Sequence, residues 1–288
     1  MTGSGVPGAI GVTFDGRPLA MGTPVPDVPA TFLAQRQRLA ERLGALPATA
    51  WRAPSRCHLW DVADCTSHLV DTNRWLDMAL AVAEDPSLPS PFTSFDNRVT
   101  PHEQVVAARG RPTGPLLDEL VTSSERAAKR LASVAGQADY PDVRFAFGAF
   151  RPQTAGLHLL WDSVLHERDM LLPLGVGADH TEDELAAVSA YVFIYAGVAC
   201  GPFDPETTVD VNLTDRVARS YRVVSGAGVE VRPGVPGAGE PAASRLSGST
   251  LAVVDALGGR VPLEGAVTAD GPFAERLHLV PARLQPPS

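Results

Sequence analysis

One stretch of the sequence decides the fold: Leu157-His-Leu-Leu-Trp-Asp-Ser-Val-Leu-His-Glu-Arg-Asp-Met-Leu-Leu-Pro-Leu174. Its length suits about four turns of helix. Pro152 stands upstream, where the first turn of a helix tolerates proline. Pro173 and Gly175 end the helix, and apolar residues make up most of its body. The stretch therefore predicts a long helix with an apolar body.

Four polar residues share one face of this helix. His158, Asp162 and His166 follow one another at intervals of four, and Asp169 extends the face by three. A carboxylate and an imidazole one turn apart can bind the same metal ion. Because polar groups out of water need partners, this face predicts a metal site whose third ligand lies on another element. His158 is either a further ligand or, as we favour, a residue that lines the pocket.

The third ligand is expected on a second helix. The run Trp60-Asp-Val-Ala-Asp-Cys-Thr-Ser-His68-Leu69 offers Asp61 as a helix N-cap and places Asp64 in the first turn, where negative charge is favoured. Apolar residues then recur with helical spacing at Val62, Cys65, Leu69, Leu76 and Leu80. His68 lies about two turns inside this helix, which makes it the candidate ligand.

These two helices resemble those of a known family. Trp60-Asp-Val-x-Asp-x-x-x-His68-Leu, preceded by Arg56-Cys57, resembles the first metal-ligand helix of the mycothiol-dependent maleylpyruvate isomerase family, within the DinB-like superfamily. Asp162-x-x-x-His166-x-x-Asp169 resembles the second metal segment of that family. The resemblance extends over most of the chain.

The resemblance implies His68, Asp162 and His166 as ligands of a divalent metal, for which zinc is the expected ion. It also implies mycothiol, a thiol, as co-substrate. Two positions depart from the family pattern: Asp162 stands where glutamate is usual, one methylene longer, and Arg168 stands where tryptophan is usual. The ligand types are thus retained, while the pocket around them is expected to be altered.

Two imidazoles and one carboxylate leave coordination positions open, as in catalytic rather than structural zinc sites. A thiol bound to such an ion is deprotonated at neutral pH and becomes a nucleophile. The resemblance therefore implies an isomerase or thiol transferase, in which the thiol adds to an electrophilic small molecule.

Two further residues are assigned to catalysis. Asp169 is a natural acceptor for the second ring nitrogen of a ligand histidine, and it equally suits a surface pair with Arg168. Arg222, which clusters with Arg216 and Arg219, is expected to bind a substrate carboxylate through its planar fork. All three arginines also suit the surface of a strand.

Three other functions would use the same residues. Two histidines and a carboxylate also form the metal site of non-haem iron oxygenases. A metal-dependent biosynthetic enzyme that needs no thiol would account for the departures at Asp162 and Arg168. A non-catalytic protein would use the pocket to bind a small ligand. Metal analysis combined with thiol-dependent turnover distinguishes these alternatives.

Composition limits the compartment and the partners. The net charge of -9 over 288 residues argues against nucleic acid and anionic membranes as partners. Three cysteines do not make a secreted disulfide framework, which favours a reducing cytosol. No apolar run suits a membrane span, and no signal peptide is evident. We expect a cytoplasmic monomer or homodimer that acts on a small molecule.

The fold class is predicted to be α+β with two domains. Residues 1–28 form an arm with a short strand near residues 10–14. Residues 29–200 form a DinB-like up-and-down four-helix bundle, followed by a fifth helix that the capping-box pattern Thr181-Glu-Asp-Glu184 opens. Residues 201–206 are a linker, and residues 207–288 alternate in polarity as a small α+β domain does. This second domain resembles the sterol-carrier-like domain of the same family.

The connections at 86–112 and 139–151 are predicted to be irregular and to shape the pocket with aromatic residues, namely Phe92, Phe95, Phe145, Phe147 and Phe150. The cysteines are predicted to pack as small apolar residues, namely Cys57, Cys65 and Cys200. The other histidines are assigned to surfaces or loops, namely His58, His102, His180 and His278.

Overall fold

The computed structural model describes residues 10–14, 17–93, 95–96, 99–145, 148–215, 217–234, 241–282 and 284. The described helices are α1 (Val28–Gly44), α2 (Val62–Glu84), α3 (Thr100–Ala107), α4 (Thr113–Val134), α5 (Pro152–Leu171), α6 (Glu182–Cys200), α7 (Thr250–Leu257), α8 (Gly271–Arg276) and α9 (Leu279–Ala282). The described strands are β1 (Ile10–Phe14), β2 (Arg17–Met21), β3 (Val143–Phe145), β4 (Gly148–Phe150), β5 (Thr207–Leu213), β6 (Arg219–Ser225), β7 (Val229–Pro233), β8 (Ser244–Gly248) and β9 (Thr268–Asp270).

Helices α1, α2, α4 and α5 form a four-helix bundle. Helices α1 and α2 each pack against both α4 and α5, so α1 lies diagonally across the bundle from α2. Two apolar clusters fill the interior: one contains Phe32 and Leu157, and the other contains Leu39 and Leu69. Apolar stripes of this kind are stable because they are buried against one another.

Local signals set the ends of the two helices that carry the predicted ligands. At the start of α2, the Asp61 carboxylate accepts from the Asp64 backbone N–H at 2.7 Å, and the Asp64 carboxylate accepts from that of Asp61 at 3.3 Å. This capping box satisfies two amides that the helix leaves unpaired. Helix α5 begins at Pro152, and Gly175 ends the short 3₁₀ turn after it with a φ of 71°. Glycine adopts this left-handed conformation without steric cost.

A mixed sheet of nine strands follows the order β3-β4-β1-β2-β7-β6-β5-β8-β9. Strand β2 pairs with β7 in parallel, with Leu19 opposite Val229. Strand β1 pairs with β4, with Thr13 opposite Ala149. The N-terminal strands therefore connect the β3–β4 hairpin of the helical half with the C-terminal strands.

Helix α6 joins the bundle to the sheet. It packs against α5 on one side and against β6 and β7 on the other. Gly197 allows a close approach, since a Cβ there would come within 2.5 Å of Val229 Cγ1. By length and composition α6 could cross a membrane, but it is buried within this fold, as a core helix is.

The predicted fold class is confirmed, two predictions of local structure are corrected, and two strands were not predicted. The connection at 86–112 contains helix α3, and the one at 139–151 contains the β3–β4 hairpin. Strands β2 and β8 were not predicted: β2 pairs with the neighbouring β1 and with the distant β7, and β8 pairs with the distant β5. The division into two domains at residues 201–206 stays a prediction.

Candidate metal centre

The structure brings His68, Asp162 and His166 together inside the bundle. His68 lies on α2, and the other two lie one turn apart on α5. Asp162 Oδ1 is 3.6 Å from His68 Nε2 and 3.4 Å from His166 Nε2. Both histidines are buried, at 7% and 4% exposure. The three donor atoms therefore form one compact group.

The spacing of these atoms fits a single metal ion. Ligand atoms at about 2.0–2.1 Å from a tetrahedral zinc ion lie about 3.3–3.4 Å apart. Asp162 Oδ2 and His68 Nδ1 are buried, and neither has a hydrogen-bond partner among the described residues. Burial raises the pKa of Asp162, but His166 and His68 outweigh it, so the pKa lies well below its ordinary value. Asp162 is therefore an anionic donor at neutral pH.

Asp169 holds the other side of the His166 ring. Its Oδ2 lies 3.1 Å from His166 Nδ1, and its carboxylate also accepts from Arg56 at 3.1 Å and from Arg260 at 2.9 Å. Burial raises the pKa of Asp169, while Arg260 and His166 lower it, and the result lies well below the ordinary value. An imidazole that donates from Nδ1 presents a free Nε2 lone pair, which is the atom that faces Asp162.

Sequence reasoning missed Cys57 and Arg260 at this place. The Cys57 thiol donates to Asp169 Oδ2 at 3.0 Å and lies 3.5 Å from His166 Nδ1, so it is not merely an apolar packing residue. Arg260 follows α7 and reaches Asp169 across 91 positions of sequence. The only local signals were the Arg56-Cys57 pair before α2 and the position of Arg260 inside the C-terminal segment that carries the resemblance.

Arg222 lies elsewhere. It is directly opposite Asp210 in the β5–β6 register, and its guanidinium makes a two-bond pair with that carboxylate at 2.7 and 2.9 Å. The neighbouring Tyr221 points toward α6, where it bonds with Ser189. Because side chains alternate along a strand, Arg222 is on the opposite face of the sheet from α6. Arg219 contacts Glu182, and Arg216 lies outside the described residues.

Arg168, the second departure from the family pattern, forms part of an ion-pair network with α7. Its guanidinium donates two bonds to the Asp255 carboxylate, at 2.6 and 3.1 Å. Arg56 donates two more to the same carboxylate, both at 2.9 Å. Arg168 therefore links α5 to the C-terminal half, and Asp169 does not pair with it.

Aromatic residues surround the triad. Trp60 lies 5.1 Å from the His68 ring and 5.9 Å from the His166 ring, between centroids. A chain of ring contacts at 4.9 to 5.7 Å then runs from His68 outward through Trp75, Phe95, Phe92, Phe145 and His158. The connections at 86–112 and 139–151 supply three of these rings. Phe147 and the side chain of Phe150 lie outside what the structure describes.

His102 and His180, for which the sequence predicts no partner, both have hydrogen-bond partners in the structure. Trp60 donates to His102 on α3 at 3.1 Å, and His180 is buried against Glu184 at 3.1 Å. His180, Glu184 and Glu167 could in principle hold a second ion. Arg38 already pairs with both carboxylates, which makes this group an ion-pair network. Glu184 therefore does not complete the predicted capping box, although its N–H donates to Thr181.

His158 is held by a partner of its own. Its Nδ1 lies 2.7 Å from the Tyr191 hydroxyl, and burial lowers its pKa to about 4. This neutral imidazole lies on the same helix face as the triad, one turn before Asp162. It lines the site next to the compact group of three.

We expect Asp162→Glu to retain the metal and His158→Ala to have little effect on affinity in chelator competition. A glutamate arm is longer by one methylene, which the neighbouring helices can accommodate by a small shift. Tyr191→Phe is the matched control, because it removes the same hydrogen bond and keeps the imidazole. If His158→Ala abolished binding while Asp162→Ala did not, the ligands would be His68, His158 and His166.

Comparison with known proteins shows what the helical part of the chain and its fold are similar to. Residues 32–170 match the family model of the mycothiol maleylpyruvate isomerase N-terminal domain. Two solved structures share the fold: a mycothiol-dependent maleylpyruvate isomerase and a histidine-to-alanine mutant of that enzyme. Each is 14% identical in sequence with a TM-score of 0.59, and the match covers 86% of this chain and 93% of theirs. No curated protein sequence matches the chain significantly.

Proposed function

We propose that the protein is a metal-dependent enzyme of the maleylpyruvate isomerase type, since residues 32–170 match the family model of the mycothiol maleylpyruvate isomerase N-terminal domain. It would use mycothiol as co-substrate to isomerise, or to add the thiol to, an electrophilic small molecule. The observation that carries the proposal is the group of His68, Asp162 and His166, whose donor atoms lie at the separation one ion requires.

The donor set suits a divalent ion, for which we propose zinc. Two imidazoles and a carboxylate leave a position open. A bound ion of this kind lowers the pKa of a thiol that occupies the open position. Asp162 supplies the negative charge of the ligand set, and Asp169 fixes the orientation of the His166 ring.

The residues around the triad shape the reaction. Thiol addition turns the activated carbon–carbon double bond of the substrate into a single bond, which rotates before elimination returns the thiol and the isomerised product. The rings of Trp60, Trp75 and Phe145 form an apolar wall that limits the access of water to this step. The expected compartment is the reducing cytosol, where a thiol co-substrate stays reduced.

The test is turnover of maleylpyruvate by zinc-loaded protein, followed by the change in ultraviolet absorbance, with and without mycothiol. We expect isomerisation only when metal and thiol are both present, and none with His166→Ala. His278→Ala, which changes an exposed histidine, is the matched control and should turn over like the unchanged protein. Equal rates without thiol would refute the thiol step and favour a thiol-independent metal enzyme on this scaffold.

A further inference from the structure

Arg36 is a buried cation without a hydrogen-bond partner. Its side chain on α1 is 1% exposed, and none of its three guanidinium nitrogens bonds to another described residue. Its guanidinium carbon lies 5.1 Å from the centroid of the Phe32 ring. The great majority of buried polar groups in folded proteins are paired. A buried charge left unpaired is strongly destabilising, so Arg36 requires an explanation.

Arg36 lies between the two apolar clusters of the bundle. Phe32, one turn earlier, belongs to one apolar cluster, and Leu39, one turn later, belongs to the other. Across the bundle, Asn73 of α2 lies between the same two clusters and donates to both hydroxyls of Ser123–Ser124 on α4. The Asn73 carbonyl oxygen has no partner within the described part of the chain. Each of these two residues, Arg36 and Asn73, therefore lies between the clusters with part of its bonding capacity unused.

The carboxylates that interact electrostatically with Arg36 lie on α5, the helix that carries two residues of the triad. Burial lowers its pKa to about 10, and the carboxylates of Asp162 and Glu167 partly offset that effect. Glu167 is already bonded to Arg38 and Arg42, and Asp162 belongs to the candidate metal site. Arg36 thus stays protonated at neutral pH. Helix α1 packs against α5, and Gln35, the residue before Arg36, accepts a hydrogen bond from Ser163, the residue after Asp162, so this turn of α1 lies at the level of the triad.

We propose that Arg36 is the anion-binding residue of the site and holds a carboxylate of the substrate in the bundle interior, beside the triad. A guanidinium presents two parallel N–H donors, which match the two oxygens of a carboxylate. A charge kept unpaired at a cost in stability is typical of ligand-binding positions. The inference rests on the proposed function in placing the substrate beside the triad, and it adds which residue of this chain binds a substrate carboxylate.

The test is titration calorimetry on zinc-loaded protein with two probes: maleate and its neutral diester, dimethyl maleate. The unchanged protein is expected to bind maleate more tightly than the ester. Arg36→Met, which keeps the length of the side chain and removes the charge, should weaken maleate binding by about 10- to 100-fold, as for the loss of a charge-assisted pair. Arg245→Met, which removes an exposed arginine on β8, is the matched control and should change neither affinity.

A second measurement separates binding from structure. With no ligand present, Arg36→Met should unfold at the same urea concentration as the unchanged protein or at a higher one, because it removes an unpaired buried charge. In the unchanged protein the Arg36 Nε–H resonance, assigned by its disappearance in Arg36→Lys, should shift with maleate and stay fixed with the ester. This reading does not depend on Arg36→Met folding.

Equal maleate affinity in the unchanged protein and Arg36→Met, or an Arg36 resonance that does not respond to maleate, overturns the inference. The titrations measure binding alone. Maleate binding through Arg36 without thiol-dependent turnover would leave the anion site standing and refute the proposed chemistry. Thiol-dependent turnover combined with maleate binding that does not depend on Arg36 would support the proposed chemistry and refute the anion site.

Discussion

Alanine at His68, Asp162 or His166 is expected to remove the bound divalent ion. The unchanged protein, purified without chelator, should contain about one ion per chain by elemental analysis, as one group of three ligands predicts. Each alanine deletes one of three ligand atoms: Asp162 Oδ1 itself, or one of the two histidine nitrogens that lie within 3.6 Å of it. Removing even an outer partner of a ligand costs about 10- to 100-fold in affinity, so the loss of a ligand itself should cost more than about 100-fold.

The matched control is His58→Ala. His58 is exposed and lies just before α2, so its replacement should leave both the fold and the metal content unchanged. A second control addresses the group of Cys57, Cys65 and His166, whose donor atoms also lie within reach of one another. Because that group shares His166, Cys57→Ser and His68→Ala, which each change one group alone, separate the two sites. We expect Cys57→Ser to keep the ion and His68→Ala to lose it.

Circular dichroism must show that each alanine variant retains the helical content of the unchanged protein before its metal content is interpreted. A fully folded His166→Ala protein with undiminished metal would refute the triad. Loss of the ion in Cys57→Ser but not in His68→Ala would move the site to the cysteines.

Local patterns predicted the helices well, since these depend on residues three or four positions apart, and the same spacing singled out the proposed ligands. The capping residue Asp61 and the stop at Gly175 fall where the sequence places them. The meeting of His68 with Asp162 was different. Two helices 94 positions apart carry no local sign that they face each other, and the resemblance to a family supplied that step.

The ion-pair network around the triad could not be predicted, because each pair joins distant parts of the chain. Arg260 reaches Asp169 across 91 positions, and Arg56 reaches Asp255 across 199. An arginine in a sequence does not reveal whether it lies on the surface of a strand, in a loop or in a buried ion pair. Arg222 illustrates this, because we expected it to bind the substrate, whereas it pairs with Asp210, the residue directly opposite on β5.

Arg36 did leave a signal in the sequence. It stands four positions after Phe32 and three before Leu39, which places a charge inside the apolar stripe of α1. A charged residue at such a position is rarely buried without a reason. Helix periodicity alone could have singled out Arg36, whereas the lack of a partner becomes visible only in the structure.

The network suggests a stability test at Asp255. Its carboxylate receives two bonds from Arg56 and two from Arg168, and its side chain is 5% exposed. Asp255→Asn removes the negative charge and leaves two guanidiniums without this counter-ion. We expect the free energy of unfolding to fall by about 3 kcal/mol, measured by urea denaturation. This is the lower end of the range for breaking a buried pair, because both arginines keep some contact with solvent.

Asp210→Asn is the matched control. Asp210 also makes a two-bond pair with an arginine, Arg222, but its side chain is 35% exposed. Exposed pairs contribute little, so this variant should lose no more than about 1 kcal/mol. Equal losses in the two variants would mean that burial of the Asp255 pair adds nothing.

Acid provides an independent reading of the same carboxylate. Burial raises the pKa of Asp255, but Arg56 and Arg168 lower it more, so the folded pKa lies below the ordinary value. A depressed pKa contributes stability above the unfolded pKa of about 3.9, and that contribution is lost as the pH falls through the folded pKa. From about pH 6 to about pH 3, the free energy of unfolding should therefore fall more in the unchanged protein than in Asp255→Asn. Parallel pH profiles for the two proteins would show that the Asp255 charge does not stabilise the link between α7 and the bundle.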